Sequence, residues 1–263
     1  MTVVTTSRKV RDEDRRLAAA IARRLNVSVV ERDKRSLARL LADSGARDAV
    51  VVSGGSAWWQ DRDGDEFFFH PGTAAIRLKQ LTRGEPDGLV AAAGFRKGQR
   101  ILDCTLGLAS DAIVAAHMVG DSGEVIGLES QPVVAALVEL GLETARFQSP
   151  RLMRAMRSVQ VVCADYREFL PRCRTGEFDV ILFDPMFRKT VQRSQSMQSL
   201  RVIANPDPLD EASVREAMRV AACRVVLKER KGSPEFERLG FCIVKEASTY
   251  ALGVIDVSRR KGE

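Results

Sequence analysis

Seven short apolar runs, at 101–104, 124–128, 159–163, 178–183, 224–227, 242–244 and 250–257, alternate with segments of helical spacing at 111–118, 132–147, 166–170 and 209–221. Alternation of this kind specifies a mostly parallel sheet with helices wound on both faces. Residues 98–263 are therefore expected to be an α/β domain built on a doubly wound, Rossmann-like sheet of seven strands. In open sheets of this class, ligands bind beyond the carboxyl ends of the strands, where the strand order reverses. The first four runs end on acids: Asp103, Glu129, Asp165 and Asp184. One such acid is as readily an ordinary helix cap. Four of them on neighbouring strand ends line one crevice.

Ahead of this domain, residues 1–66 read as a small α/β unit, with strands at 2–6, 27–30 and 49–52 and helices at 12–25 and 36–41. A turn at Gly54-Gly55 follows the third strand. Residues 67–97 read as a connector: Phe67-Phe68-Phe69, a break at His70-Pro71-Gly72, then a helix at 73–81. Trp58 and Trp59 are assigned to hairpin packing, and His70 to the turn.

The stretch Gln99 to Asp111 joins an apolar strand, an acid and a loop of small residues to the start of a helix. Gly107, Leu108 and Ala109 bring backbone N–H groups and a helix N-terminus close to a ligand. Glu129 lies 22 residues beyond Gly107, close to the separation at which an acid accepts hydrogen bonds from a ribose diol. The loop holds one glycine of the three in G-x-G-x-x-G, so it cradles a pyrophosphate poorly. That disfavours a nicotinamide-dependent oxidoreductase and suits a nucleoside carrying an amino-acid tail. The fourth run ends Phe183-Asp184-Pro185-Met186-Phe187. Asp184 and the Pro185 carbonyl can accept both hydrogens of an exocyclic amine, and Phe187 can stack on a planar base.

The formal net charge of +6, carried largely by arginine, is compatible with a nucleic-acid partner but equally with a solvated surface. Arg77 and Lys79 on the connector helix, Arg83 just beyond it, Arg188 and Lys189 past the fourth run, and Lys228 are the candidate phosphate contacts. The five cysteines form no C-x-x-C pair, so neither a zinc site nor a disulfide framework is indicated, and no metal is expected. Cys104, Cys163 and Cys242 lie in apolar runs and are expected to be buried thiols. With no signal peptide and no apolar run of membrane-spanning length, a cytoplasmic location is expected, with no membrane partner.

These residues resemble class I S-adenosylmethionine-dependent methyltransferases. More narrowly, they resemble the small-subunit ribosomal RNA guanine-N2 methyltransferases of the RsmJ (YhiQ) family. The resemblance runs through D-C-T-L-G-L-A-S-D-A at 103–112, E-S-Q-P-V-V-A-A-L at 129–137, D-P-M-F at 184–187 and V-V-L-K at 225–228, and covers roughly residues 72–228. It implies a cofactor site lined by Ser110, Asp111, Glu129, Ser130, Ala164, Asp165 and Asp184, to which the loop itself adds Asp103, Thr105 and Gly107. It implies catalytic roles for Asp184, Pro185 and Phe187, and S-adenosylmethionine as cofactor. The implied activity is methyl transfer to an exocyclic amine of a guanine in ribosomal RNA. Methylation of a protein or small-molecule amine, and a catalytically silent RNA-binding module, are the alternatives. The second glycine of the family's G-L-G loop is Ala109 here.

Overall fold

The computed structural model describes residues 1–186, 203, 205 and 207–258. Phe187, Arg188 and Lys189, named above as candidate site residues, lie outside them.

The chain builds two sheets. The first carries β1 (Thr2–Thr6), β2 (Asp48–Ser53), β3 (Ser56–Asp61) and β4 (Glu66–Phe68) in sequence order. β1 and β2 are parallel and need a crossover, supplied by α1 (Asp12–Leu25) and α2 (Leu37–Ser44). β2 and β3 form a hairpin over Gly54 and Gly55, both at positive φ (58° and 74°), as a two-residue turn of matching twist requires. Buried Asp14 on α1 secures that turn, accepting the Gly55 N–H at 3.0 Å.

One expectation fails here. Residues 27–30 do not form a strand: Val29 makes an isolated bridge to Val4, because the Thr2–Thr6 edge is met there by only one exchange of backbone bonds. β4 pairs Phe67 with Trp59 and Phe68 with Trp58. Trp59 is buried in that packing. The two sheets share one core, in which Val4, Ala18, Trp59 and Phe67 are continuous with Leu106, Val134 and Leu142.

The second sheet contains β5 (Arg100–Asp103), β6 (Glu124–Glu129), β7 (Val159–Cys163), β8 (Phe178–Phe183), β9 (Ala221–Arg230), β10 (Cys242–Glu246) and β11 (Tyr250–Asp256). Their order is β10-β11-β9-β8-β5-β6-β7, parallel from β9 to β7, with β11 antiparallel to both neighbours. The chain starts at β5, moves out to β7, then returns to the other side of β5 as β8. The switch point is therefore the gap beyond the ends of β5 and β8.

Alternate strand residues face opposite layers. Ile101, Val180 and Val226 pack under α3 (Thr73–Thr82), α4 (Gly88–Ala93), α5 (Ser110–Val119), α6 (Pro132–Thr144) and α7 (Pro150–Arg157). Leu102, Ile181 and Leu227 pack under α8 (Tyr166–Phe169), α9 (Glu211–Val220) and α10 (Glu235–Arg238). α7 is not among the helices expected above; its Leu152, Ala155 and Met156 form a buried stripe and Ser149 caps it.

Cys104 is buried as expected, but Cys163 and Cys242 are exposed. They lie on β7 and β10, the two edge strands, which have a neighbour on one side only. Among the described residues, no helix is long and apolar enough to cross a membrane.

Candidate active site

The loop after β5 is the centre of the site. Asp103, buried at the strand end, accepts the Thr105 N–H at 3.0 Å. The Thr105 hydroxyl in turn accepts the Asp184 N–H at 2.6 Å, tying the end of β5 to the end of β8. Gly107 and Ala109 both take positive φ (48° and 61°), which turns the chain sharply into α5. The alanine occupies a left-handed conformation that costs an L-residue about 1–2 kcal/mol.

Two clefts open from this loop. The narrower is lined by Cys104, Leu128, Glu129, Ser130, Ala164 and Tyr166. The wider, about 400 Å³, is lined by Arg77, Asp103, Ser110, Asp111, Lys228 and Tyr250. Thr105, Gly107, Asp184 and Met186 line both, so Asp184 stands where the clefts meet.

On the narrow side, Glu129 accepts backbone N–H groups from Gln131 at 2.9 Å and Gly107 at 3.3 Å. Burial pushes its carboxyl above the ordinary value, against the pull of these backbone donors. Asp165 turns away to cap α8, accepting the Arg167 N–H at 2.8 Å and pairing with the Arg167 guanidinium at 3.4 Å. Its neighbours Ala164 and Tyr166 line the cleft in its place.

On the wide side, a chain of ion pairs crosses the cleft wall. Asp87, the cap of α4, holds Arg77 through both oxygens at 2.7 and 2.9 Å. Arg77 also binds Asp111 at 2.5 Å. Asp111 accepts from Lys228 at 3.1 Å, and Lys228 binds Asp184 at 2.6 Å. The Lys228 ammonium lies 5.6 Å from the centre of the Tyr250 ring. Burial alone would raise the Asp111 carboxyl, but Lys228 and Arg77 outweigh it and hold it at about 2. Burial would likewise lower Lys228, and the Asp111 and Asp184 charges instead raise it. Among the described residues, Asp103 has no cation paired with it. Burial, with the Asp111 charge beside it, pushes its carboxyl up to about 7.

The structure thus brings Asp103, Thr105, Gly107, Ser110, Asp111, Glu129, Ser130, Ala164, Asp184 and Pro185 to one place. It redirects two expected phosphate contacts: Arg77 and Lys228 are inward-facing and committed to carboxylates of the cleft wall, so neither presents a free cation to solvent. Lys79 and Arg83 remain on the exposed face of α3. Sequence reasoning missed Asp87, whose signal was the turn Glu85-Pro86-Asp87-Gly88, and Tyr250, which gave none. Among the described residues, four carboxylates of this wall (Asp87, Asp103, Asp111 and Asp184) face two cations. A ligand bearing positive charge suits that excess.

Comparison with known proteins agrees with this geometry. A family model described as "Putative SAM-dependent methyltransferase" matches residues 66–242. The Bacillus subtilis protein described as "Uncharacterized protein YpiP" is 37% identical, covering 97% of this chain and all of that one. Ribosomal RNA small subunit methyltransferase J of Alkalilimnicola ehrlichii is 32% identical, covering 82% of this chain and 81% of the relative. In fold, the chain resembles the crystal structure of a SAM-dependent methyltransferase from Neisseria gonorrhoeae. The TM-score is 0.65 at 14% identity, covering 97% and 96% of the two chains.

Proposed function

This chain belongs to the S-adenosylmethionine-dependent methyltransferase family, and from that premise we propose that it methylates the exocyclic amine of a guanine in small-subunit ribosomal RNA. The observation that carries the reading is the position of Asp184 at the junction of two clefts, one side rich in carboxylates and the other built on Glu129, with Pro185 beside it in the narrower cleft. The names of the methyltransferase J relatives supply the RNA class.

The residues present fit the cofactor. A half-buried carboxylate at the end of β6 is the acceptor a ribose diol requires. The left-handed turn at Gly107 permits close backbone approach, and the surplus of acids complements a sulfonium and an α-ammonium group. Glu129 would hold the ribose hydroxyls, Asp103 and Asp111 the amino-acid tail, and Ser130 and Ala164 the base. Bound there, S-adenosylmethionine supplies an electrophilic methyl group, so little acid–base work is left to the protein.

The chain's own task is positioning. Asp184 and the Pro185 carbonyl orient the amine nitrogen and stabilise the charge it gains as it is alkylated. Lys228 and Thr105 fix the Asp184 carboxylate and backbone for that role. Because the target nitrogen of a paired guanine faces its partner, the base must be unstacked or single-stranded to reach the junction.

The test is incubation of the protein with labelled S-adenosylmethionine and ribosomal RNA from cells lacking the gene, followed by digestion to nucleosides. Label in N2-methylguanosine supports the reading. Label in another nucleoside corrects the acceptor. Label in protein or in small molecules overturns the RNA assignment.

A further inference from the structure

α3 leads from the catalytic cleft to a surface of unpaired cations. Its first residue, Thr73, lines the wide cleft, and its exposed ridge continues through Ile76, 61% exposed, to Lys79 and Arg83. At its far end, Arg151 of α7 donates to the Thr82 hydroxyl at 3.1 Å, which sets Arg151 and, one turn on, Arg154 beside the same ridge. The apolar stripe of α7 faces inward, so both arginines face solvent.

Counter-charges distinguish this patch from the rest of the surface. On the opposite face of the sheet, Arg215 pairs with Glu211, Arg219 with Glu216 and Arg238 with Glu235. Among the described residues here, only Arg83 has an acid within reach, Glu85 at 3.9 Å. Lys79, Arg151 and Arg154 have no carboxylate partner among the described residues, Asp87 being taken by Arg77. The local field is positive: burial, then the Lys97 and Arg151 charges, lower the His117 imidazole. Neighbouring cations without counter-ions repel one another, and a polyanion relieves that repulsion while releasing its own condensed ions.

We infer that the outer ridge of α3 and the solvent face of α7 form a track for the RNA phosphodiester backbone leading away from the catalytic cleft, with Lys79, Arg151 and Arg154 as its phosphate contacts. This rests on the RNA reading above and extends it from the target base to the flanking strand. Exposed Ile76, between the cleft and the cations, offers an apolar contact to a sugar or base.

The inference is tested by the salt dependence of binding to deproteinised small-subunit ribosomal RNA, followed by fluorescence anisotropy. The track variant is Lys79→Gln/Arg151→Gln/Arg154→Gln. A control of equal net charge, Arg172→Gln/Arg174→Gln/Arg215→Gln, alters exposed arginines elsewhere. Each lost phosphate contact lowers the slope of log K against log salt by roughly 0.7–0.9, so the track variant should lose about two units of slope. It should also lose affinity by on the order of tenfold at moderate salt. The control should retain its slope, and both variants should bind S-adenosylmethionine and unfold as the parent does.

Equal losses in the two variants would reduce the effect to net charge and overturn the track, as would an unchanged slope in the track variant while the parent binds RNA. Failure of the parent to bind RNA at all overturns the RNA reading itself and the track with it. Binding instead to vesicles of anionic phospholipid would reassign the patch to a membrane surface.

Discussion

Asp111 and Glu129 are both half-buried carboxylates beside the same glycine loop, yet they are held in opposite ways. Asp111 is gripped by two side-chain cations, and its carboxyl lies at about 2. Glu129 is met by backbone N–H groups alone, and burial leaves its carboxyl raised. One half of the site is an electrostatic truss whose members come from α3, α4, α5, β8 and β9. The other is a turn of backbone that any sequence with the right bend could supply. The truss is rigid but depends on every member, whereas the backbone cradle depends only on the loop's path.

The sharpest way to break this contrast is Arg77→Leu. It strands Asp87 and Asp111 without their shared cation, and removing one partner of a buried pair costs about 3–5 kcal/mol. A large fall in the unfolding midpoint is expected, measured by calorimetry. A fall no larger than that of an exposed arginine variant would show that the truss is not structural.

Next comes Asp184→Asn, which keeps the shape but removes the charge. Loss of one preorganised group at the reacting centre typically costs 10²–10³ in turnover. We expect a drop on the order of a hundredfold in single-turnover methyl transfer with little change in cofactor affinity. On the cradle side the split should reverse. Glu129→Ala removes charge-assisted bonds of about 1.5–3 kcal/mol, so S-adenosylmethionine affinity should fall by roughly 10- to 100-fold in titration calorimetry, while stability changes little.

The pH dependence separates Asp103 from Asp111. A carboxyl raised in the folded state to about 7, against about 3.9 unfolded, gives stability that is complete below the unfolded value and is lost as pH rises through about 7. Relative to Asp103→Asn, the parent should therefore lose thermal stability between about pH 4 and pH 8. Asp111, held at about 2, has the opposite sign: its contribution is present above about pH 4 and fades toward pH 2. A parent and an Asp103→Asn variant with parallel profiles from pH 4 to 8 would contradict the environment assigned to Asp103.

The smallest effect is expected at Ala109→Gly. Relief of the left-handed alanine (φ 61°) is offset in part by the extra freedom glycine has when unfolded, leaving a gain of at most about 1 kcal/mol. That corresponds to a rise in the unfolding midpoint of about 2–4 °C. A fall would mean that the loop's strain is compensated by contacts of the alanine methyl.

The seven strands of the second sheet, the acids at their ends and the single-glycine loop were all legible because they follow from local rules. Period-2 and period-3.6 apolar patterns bury themselves in one way, and a parallel sheet puts the ends of neighbouring strands together. By the same logic Asp103, Glu129 and Asp184 could be placed in one crevice before any coordinates. What the tertiary structure alone decided was which charges neutralise which. Arg77 and Lys228 read as exposed cations because their partners are distant in sequence: Asp111 is 34 residues from Arg77 and 117 from Lys228. Burial of a charge depends on those partners and on no property of the local segment. The same holds for α7, whose Leu152, Ala155 and Met156 gain a buried face because α5 and α6 stand behind them, and for Cys163 and Cys242, left exposed because their strands lie at the two edges of the sheet. Local periodicity determined the frame of this protein, and long-range charge pairing determined which of its residues serve the site and which serve the surface.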